Sequence, residues 1–111
     1  GFIVYMPQNP YIGNFRQIAR IGNPLKLTLF SYVYSQTERM LDWLETLPFV
    51  DAKRIAFYGL SYGGKTAVRI PPVVDRYVLS ICSGDFNQWT RKVAATDQPF
   101  SFMRTIEWEM P

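Results

Sequence analysis

A glycine-rich turn between an apolar run and an amphipathic stretch is the feature that most constrains how this chain can fold. The apolar run covers residues 54–58, and Gly59-Leu60-Ser61-Tyr62-Gly63 follows it directly. In the pattern G-x-S-x-G, the serine occupies a strained turn between a strand and a helix, with its hydroxyl above the strand ends. The glycines are expected because side chains at those two positions would collide with the neighbouring strand and helix. The pattern predicts a strand, a sharp turn at Ser61 and a helix.

The same stretch, residues 59–66, also fits a second pattern, G-x-x-x-x-G-K-[ST], which is the phosphate-binding P-loop. Its defining residues here are Gly59, Gly64, Lys65 and Thr66. Both patterns need a strand before and a helix after, so the spacing does not separate them. A P-loop also needs an acidic residue at the end of a second strand to hold magnesium. The next apolar run is followed by Ser83 and Gly84 before Asp85, so this acid comes late and the serine turn is favoured.

Three apolar runs predict the strands of a parallel sheet. Residues 1–6 form a continuous run that ends at Pro7, residues 54–58 precede the serine turn, and residues 77–82 form the third run. Continuous apolar runs are typical of parallel strands, which are buried on both faces. Helical stretches separate the runs, including one expected over residues 62–70. The sequence therefore predicts an α/β fold with three parallel strands and right-handed crossover helices.

The longest helix is predicted to begin at Asn23-Pro24. Asparagine can cap free amide groups, and proline is tolerated in the first helical position. Apolar residues recur at helical spacing from there to about Leu47. Ser35 and Glu38 form a possible capping box, so two shorter helices with a break near Tyr34 are the alternative.

With its flanks, the serine turn resembles the approach to the nucleophile in α/β-hydrolases, especially bacterial dienelactone hydrolase-like and acetyl xylan esterase-like members. The stretches that carry this resemblance are Asp42-Trp43-Leu44, Leu47-Pro48-Phe49-Val50-Asp51, Lys53-Arg54-Ile55 and Gly59-Leu60-Ser61-Tyr62-Gly63-Gly64. An α/β-hydrolase core is longer than 111 residues. The resemblance therefore implies that residues 1–111 are a single partial α/β-hydrolase domain around the nucleophile. The family places another strand, absent from this chain, between the first strand and the strand before the turn, so the sheet should have an unfilled slot.

The resemblance implies a serine carboxylic-ester hydrolase that forms an acyl-enzyme at Ser61 and acts on a small-molecule ester, possibly an acylated carbohydrate. The backbone amide of Tyr62 is the expected oxyanion donor, and a second donor comes from a loop after an earlier strand in the family. A nucleophilic serine needs a histidine as base and an acid to orient that histidine. The chain contains no histidine, and in the family order both partners are expected beyond Pro111.

Two residues near the turn have two interpretations each. Lys65 is similar to a lysine in carbohydrate esterases that act on glucuronoyl esters, although those carry arginine where this chain has Tyr62. The favoured alternative is a solvated helix residue. Asp85 could be the catalytic acid in a variant arrangement, but an acid that caps the next turn is favoured.

Composition argues against several classes of function. A hydrophobic fraction of 48% predicts a folded core, and a net charge of +3 from scattered basic residues does not suggest nucleic-acid binding. No apolar stretch reaches membrane-spanning length. Cys82 is the only cysteine and is expected to be a buried structural thiol. No cofactor or metal is predicted. A hydrolase-like domain that only binds and a P-loop nucleotide-binding domain remain the alternative functions.

Overall fold

The computed structural model of the chain describes residues 1–10 and 21–84. Their regular elements are helix α1 (Leu29–Glu45), strand β1 (Ala56–Leu60), helix α2 (Tyr62–Ala67) and strand β2 (Leu79–Ser83). Short 3-10 helices are formed by Asn23–Leu25, Ala52–Arg54 and Pro71–Val73. The chain divides into two compact units, one of Gly1–Pro7 with Val33–Phe86 and the other of Gln8–Tyr32 with Asn87–Pro111. Both strands and α2 belong to the first unit.

The two strands pair in parallel, with Ala56 opposite Leu79 and Leu60 opposite Ser83. The crossover between them contains α2, which covers one face of the sheet. On that face, Ser80 Oγ donates a hydrogen bond of 2.7 Å to the carbonyl of Ala67. The large apolar side chains of the other face keep between 44% and 64% of their surface exposed: Tyr58, Leu60, Leu79 and Ile81. The described residues thus form a small α/β arrangement with a helix on one face of a parallel sheet.

Residues 1–6, the predicted first strand, do not form a strand, so two of the three predicted strands are present. Phe2 is 96% exposed and Met6 is 86% exposed. The composition of this segment suits a strand, but a strand forms only where a neighbour completes its backbone hydrogen bonds. The sheet of the described residues supplies no such neighbour beside it. The two strands that do form begin at Ala56 and Leu79, each two residues later than predicted.

Helix α1 begins at Leu29, later than the predicted start at Asn23-Pro24. The intervening Lys26 has a φ of 57°, a left-handed conformation that a continuous right-handed helix does not contain. Instead, the amide of Thr28 donates a hydrogen bond of 3.1 Å to Ser31 Oγ. This is the half of a capping box in which a side chain in the first turn reaches back to the residue before the helix.

The helix then runs unbroken past Ser35, so the alternative of two shorter helices is wrong. It ends at Glu45, before Pro48, whose ring disfavours a helical conformation in the residue that precedes it. Its apolar stripe is buried at Leu29, Phe30, Val33, Leu41 and Leu44. A stripe of this period is what fixes which face of an amphipathic helix turns inward.

Arg76 connects α1 to the segment that leads into β2. Its Nε donates to Glu45 Oε1 at 2.8 Å, and its Nη1 donates to Asp42 Oδ1 at 2.8 Å and to Glu38 Oε2 at 3.2 Å. The three acids recur at i, i+4 and i+7 and therefore lie on one face of the helix. The hydrogen bond to Glu45 above all, together with that to Asp42 and against an opposing effect of burial, raises the pKa of Arg76 further above its ordinary value. The guanidinium is a permanent cation among three carboxylates.

Candidate active site

Ser61 lies at the turn between β1 and α2, with its residue surface exposed. Its backbone angles are φ 56° and ψ −112°. Residues other than glycine rarely adopt a positive φ, and among the described residues only Lys26 shares this property. The Ser61 amide donates to the carbonyl of Ser83 at 3.2 Å, and its carbonyl accepts from the Lys65 amide at 3.1 Å. The strand, the sharp turn and the helix predicted around Ser61 are therefore present.

Gly59 provides the space that this turn requires. A Cβ at Gly59 would overlap the carbonyl group of Gly63 and lie 2.9 Å from the amide nitrogen of Gly64. A Cβ at Gly63, by contrast, would meet no atom of the described residues within 4 Å. The prediction that both glycines of the pattern avoid a collision is confirmed for Gly59 and wrong for Gly63. The backbone of Gly63, and not the space for its side chain, is the crowded group.

Gly64 lies against the end of β2. A Cβ at Gly64 would overlap the carbonyl of Gly84 and lie 3.2 Å from Cys82 Sγ. The Cys82 thiol donates to that same carbonyl at 2.9 Å, and Gly84 has a φ of 80°. The first turn of α2 and the end of β2 thus approach each other closely. Cys82 itself is partly buried, and no other cysteine is present to pair with it.

Tyr62 is the first residue of α2 and directly follows Ser61. Its amide belongs to the first helical turn, where amide groups have no carbonyl acceptor inside the helix. Its carbonyl accepts a hydrogen bond of 3.1 Å from Thr66 Oγ1. Its role as the oxyanion donor stays a prediction that rests on its place directly after the serine.

Lys65 is 1% exposed, so the favoured interpretation of a solvated helix residue is wrong. Its ammonium lies 5.6 Å from the centre of the Tyr62 ring, within the range of a cation–π attraction. Gly64, Thr66 and Ala67 beside it are buried as well. The signal in the sequence is the run of small residues around the lysine, because small side chains allow a whole helical turn to lie against a sheet.

The lysine and the threonine of the P-loop pattern are both buried. In a P-loop, the lysine reaches the phosphates and the threonine hydroxyl binds magnesium. Here Lys65 is 1% exposed and Thr66 is 3% exposed, and the Thr66 hydroxyl donates to the carbonyl of Tyr62. This placement favours the interpretation of the stretch as a serine turn.

Tyr77, two residues before β2, is not placed to act as a base for Ser61. Burial raises the pKa of Tyr77 to about 12, with a smaller contribution from Glu38 and an opposing one from Arg76. The phenol is therefore neutral at pH 7. Tyr77 also precedes β2, whereas Ser61 contacts Ser83 at the other end of that strand.

Asp85 lies outside the described residues. Within residues 1–10 and 21–84, no group of His, Cys, Asp and Glu side chains is arranged to hold a metal ion. In the same part of the chain, no helix combines the length and the apolar character needed to cross a membrane.

No family model, curated protein or solved structure matches this chain. Function is therefore inferred from the backbone of Ser61 and from the packing of β1, α2 and β2 around it.

Proposed function

We propose that this chain carries the nucleophile of a serine carboxylic-ester hydrolase of the α/β-hydrolase class. The observation that carries the proposal is the backbone of Ser61, an exposed polar residue at φ 56° and ψ −112° between a parallel strand and a helix. A conformation of this kind costs about 1–3 kcal/mol and persists where the surrounding structure enforces it, most often at functional sites. Gly59 and the Ser83 carbonyl are the groups that enforce it here.

The proposed reaction proceeds through an acyl-enzyme. Ser61 Oγ attacks the ester carbonyl carbon as its proton passes to a base, and a tetrahedral intermediate forms. The Tyr62 amide donates a hydrogen bond to the oxyanion of this intermediate. The intermediate then collapses, and the alcohol leaves with the proton from the base. Water then attacks the acyl carbonyl carbon as the same base takes its proton. The second tetrahedral intermediate collapses, the acid is released, and the base returns the proton to Ser61 Oγ.

We propose a histidine from outside the 111 residues as the base, since a nucleophilic serine of this class needs one and none of the 111 is a histidine. The second oxyanion donor is proposed to come from the same source. The proposed substrate is a small-molecule ester, and more narrowly an acylated carbohydrate. Lys65 is given no contact with the substrate because its side chain is buried.

The second candidate is a hydrolase-like domain that binds a ligand without catalysis, and the lack of a histidine in the chain favours it. A P-loop nucleotide-binding function is a weaker third candidate, because Lys65 and Thr66 are both buried. The two leading candidates differ in whether Ser61 becomes covalently modified.

Labelling with a fluorophosphonate probe separates them. In the complete gene product, the probe is expected to modify Ser61, as shown by peptide mass mapping. Ser61→Ala should abolish the label and nearly all hydrolysis of a small aryl ester. Ser35→Ala, which removes an exposed hydroxyl on α1, serves as the matched control and should keep both. A label on another residue, or full activity in Ser61→Ala, would overturn the proposal.

A further inference from the structure

Gly64 directly follows the G-x-S-x-G pattern of residues 59–63. Of the two glycines in the first turn of α2, Gly64 is the one with no room for a side chain. A Cβ at Gly64 would overlap the Gly84 carbonyl, which is a backbone atom and cannot rotate away like the end of a flexible side chain. A Cβ at Gly63, one residue earlier, would enter open space among the described residues.

The contact at Gly64 is linked to Ser61 through a short series of backbone groups. Gly84 follows Ser83, the last residue of β2, and the Ser83 carbonyl accepts the Ser61 amide at 3.2 Å. Gly64 belongs to the same first turn of α2 that begins directly after Ser61. A displacement of Gly64 from Gly84 therefore moves the start of α2 and the end of β2 apart, and Ser61 is held between them.

We propose that Gly64 is a positioning residue for the nucleophile: the close approach of α2 to the Gly84 carbonyl sets the position of Ser61 Oγ. This inference rests on the proposed function of Ser61. A misplacement of reacting groups by about 1 Å is enough to lower a rate by about 10²-fold. A methyl group at Gly64 forces a movement of this size, because the added atom would otherwise overlap the carbonyl.

The test compares Gly63→Ala and Gly64→Ala in the complete gene product. Both variants add one methyl group to the same helical turn, and alanine forms helix better than glycine at either position. The measured quantities are the rate constant of Ser61 labelling at saturating fluorophosphonate (kinact) and the probe concentration for half saturation (KI). Near-UV circular dichroism reports whether each variant keeps its native packing.

Gly64→Ala is expected to lower kinact by about 10- to 100-fold with little change in KI, whereas Gly63→Ala should keep kinact within about twofold. A change in KI alone, or equal kinact in both variants, would overturn the role of Gly64. If the wild-type protein is not labelled at Ser61, the proposed function fails first and the positioning role fails with it.

Gly84→Ala alters the other side of the contact between Gly64 and the Gly84 carbonyl. It tests the positioning role if Gly64→Ala does not fold. Its Cβ meets no atom of the described residues within 4 Å, so the substitution acts only through the φ of 80° that alanine disfavours. Folded Gly84→Ala should also show a reduced kinact. Wild-type kinact in a folded Gly84→Ala variant would show that the contact has no specific effect on the nucleophile.

Discussion

At the scale of single residues, the backbone conformation that the proposed activity of Ser61 requires lowers the stability of the fold. The strained conformation of Ser61 costs about 1–3 kcal/mol, and the hydrogen bonds of the Ser61 amide and carbonyl offset this cost. Glycine adopts the same angles without the steric penalty but loses more conformational entropy on folding. The steric penalty of a side chain and the entropy loss of glycine oppose each other, so the strain can be measured by comparing glycine with alanine at position 61.

Ser61→Gly is therefore expected to stabilise the fold by about 1 kcal/mol relative to Ser61→Ala. Both variants lack the hydroxyl, so both should be inactive and their comparison isolates the backbone. The measurement is the free energy of unfolding in urea for the two proteins. A Ser61→Gly protein less stable than Ser61→Ala would mean that the turn stores no strain.

At the scale of elements, Arg76 holds α1 beside the segment that enters β2. Three carboxylates of α1 surround one guanidinium whose side chain is 22% exposed. Removal of the arginine leaves Glu38, Asp42 and Glu45 on one helix face, where like charges repel. The ion pairs themselves lie near the surface, where salt screens them.

Arg76→Met should destabilise the protein by about 1–2 kcal/mol, because a network of ion pairs contributes more than an isolated surface pair. Arg76→Lys is the matched control, since it keeps the charge and loses the planar fork. Its loss should be smaller, and the larger loss of Arg76→Met should decrease with salt concentration, because salt screens the ion pairs of the wild type. The check is thermal or urea unfolding at low and high salt. Equal stability of Arg76→Met and wild type would show that the cluster does not hold α1.

The sequence predicted the elements around Ser61 because the sterics of that turn are local. The order strand, serine turn and helix follows from residues next to one another in the chain. The start of α1 was missed because it depends on the left-handed Lys26 and on the bond between Thr28 and Ser31. The burial of Lys65 was missed because it arises from the packing of α2 on the sheet. Residues 1–6 failed as a strand because pairing requires a partner that their own sequence does not encode.

At the scale of the whole molecule, the exposed apolar face of the sheet is the main feature. Parallel sheets are usually covered by helices on both faces, yet Tyr58, Leu60, Leu79 and Ile81 remain 44% to 64% exposed here. Apolar surfaces and unpaired strand edges favour association with another chain. The described sheet has two strands, so each strand has an outer edge.

The isolated chain of 111 residues is therefore expected to self-associate. It is also expected to be catalytically silent, because it contains no histidine to act as the base for Ser61. Leu79→Lys places a charge on the exposed face and should reduce association in sedimentation velocity. Phe49→Lys is the matched control, because Phe49 is also exposed, at 63%, but lies outside the sheet. An isolated chain that is monomeric and hydrolyses an aryl acetate through Ser61 would contradict both expectations.

The most direct test of the central claim is the capture of the acyl-enzyme during turnover. The complete gene product is mixed with an aryl ester, quenched with acid before steady state, and digested for peptide mass mapping. The mass of the acyl group is expected on Ser61 and on no other residue, and Ser61→Ala should show no adduct. An acyl group on a different residue, or ester turnover that continues in Ser61→Ala, would contradict the assignment of Ser61 as the nucleophile.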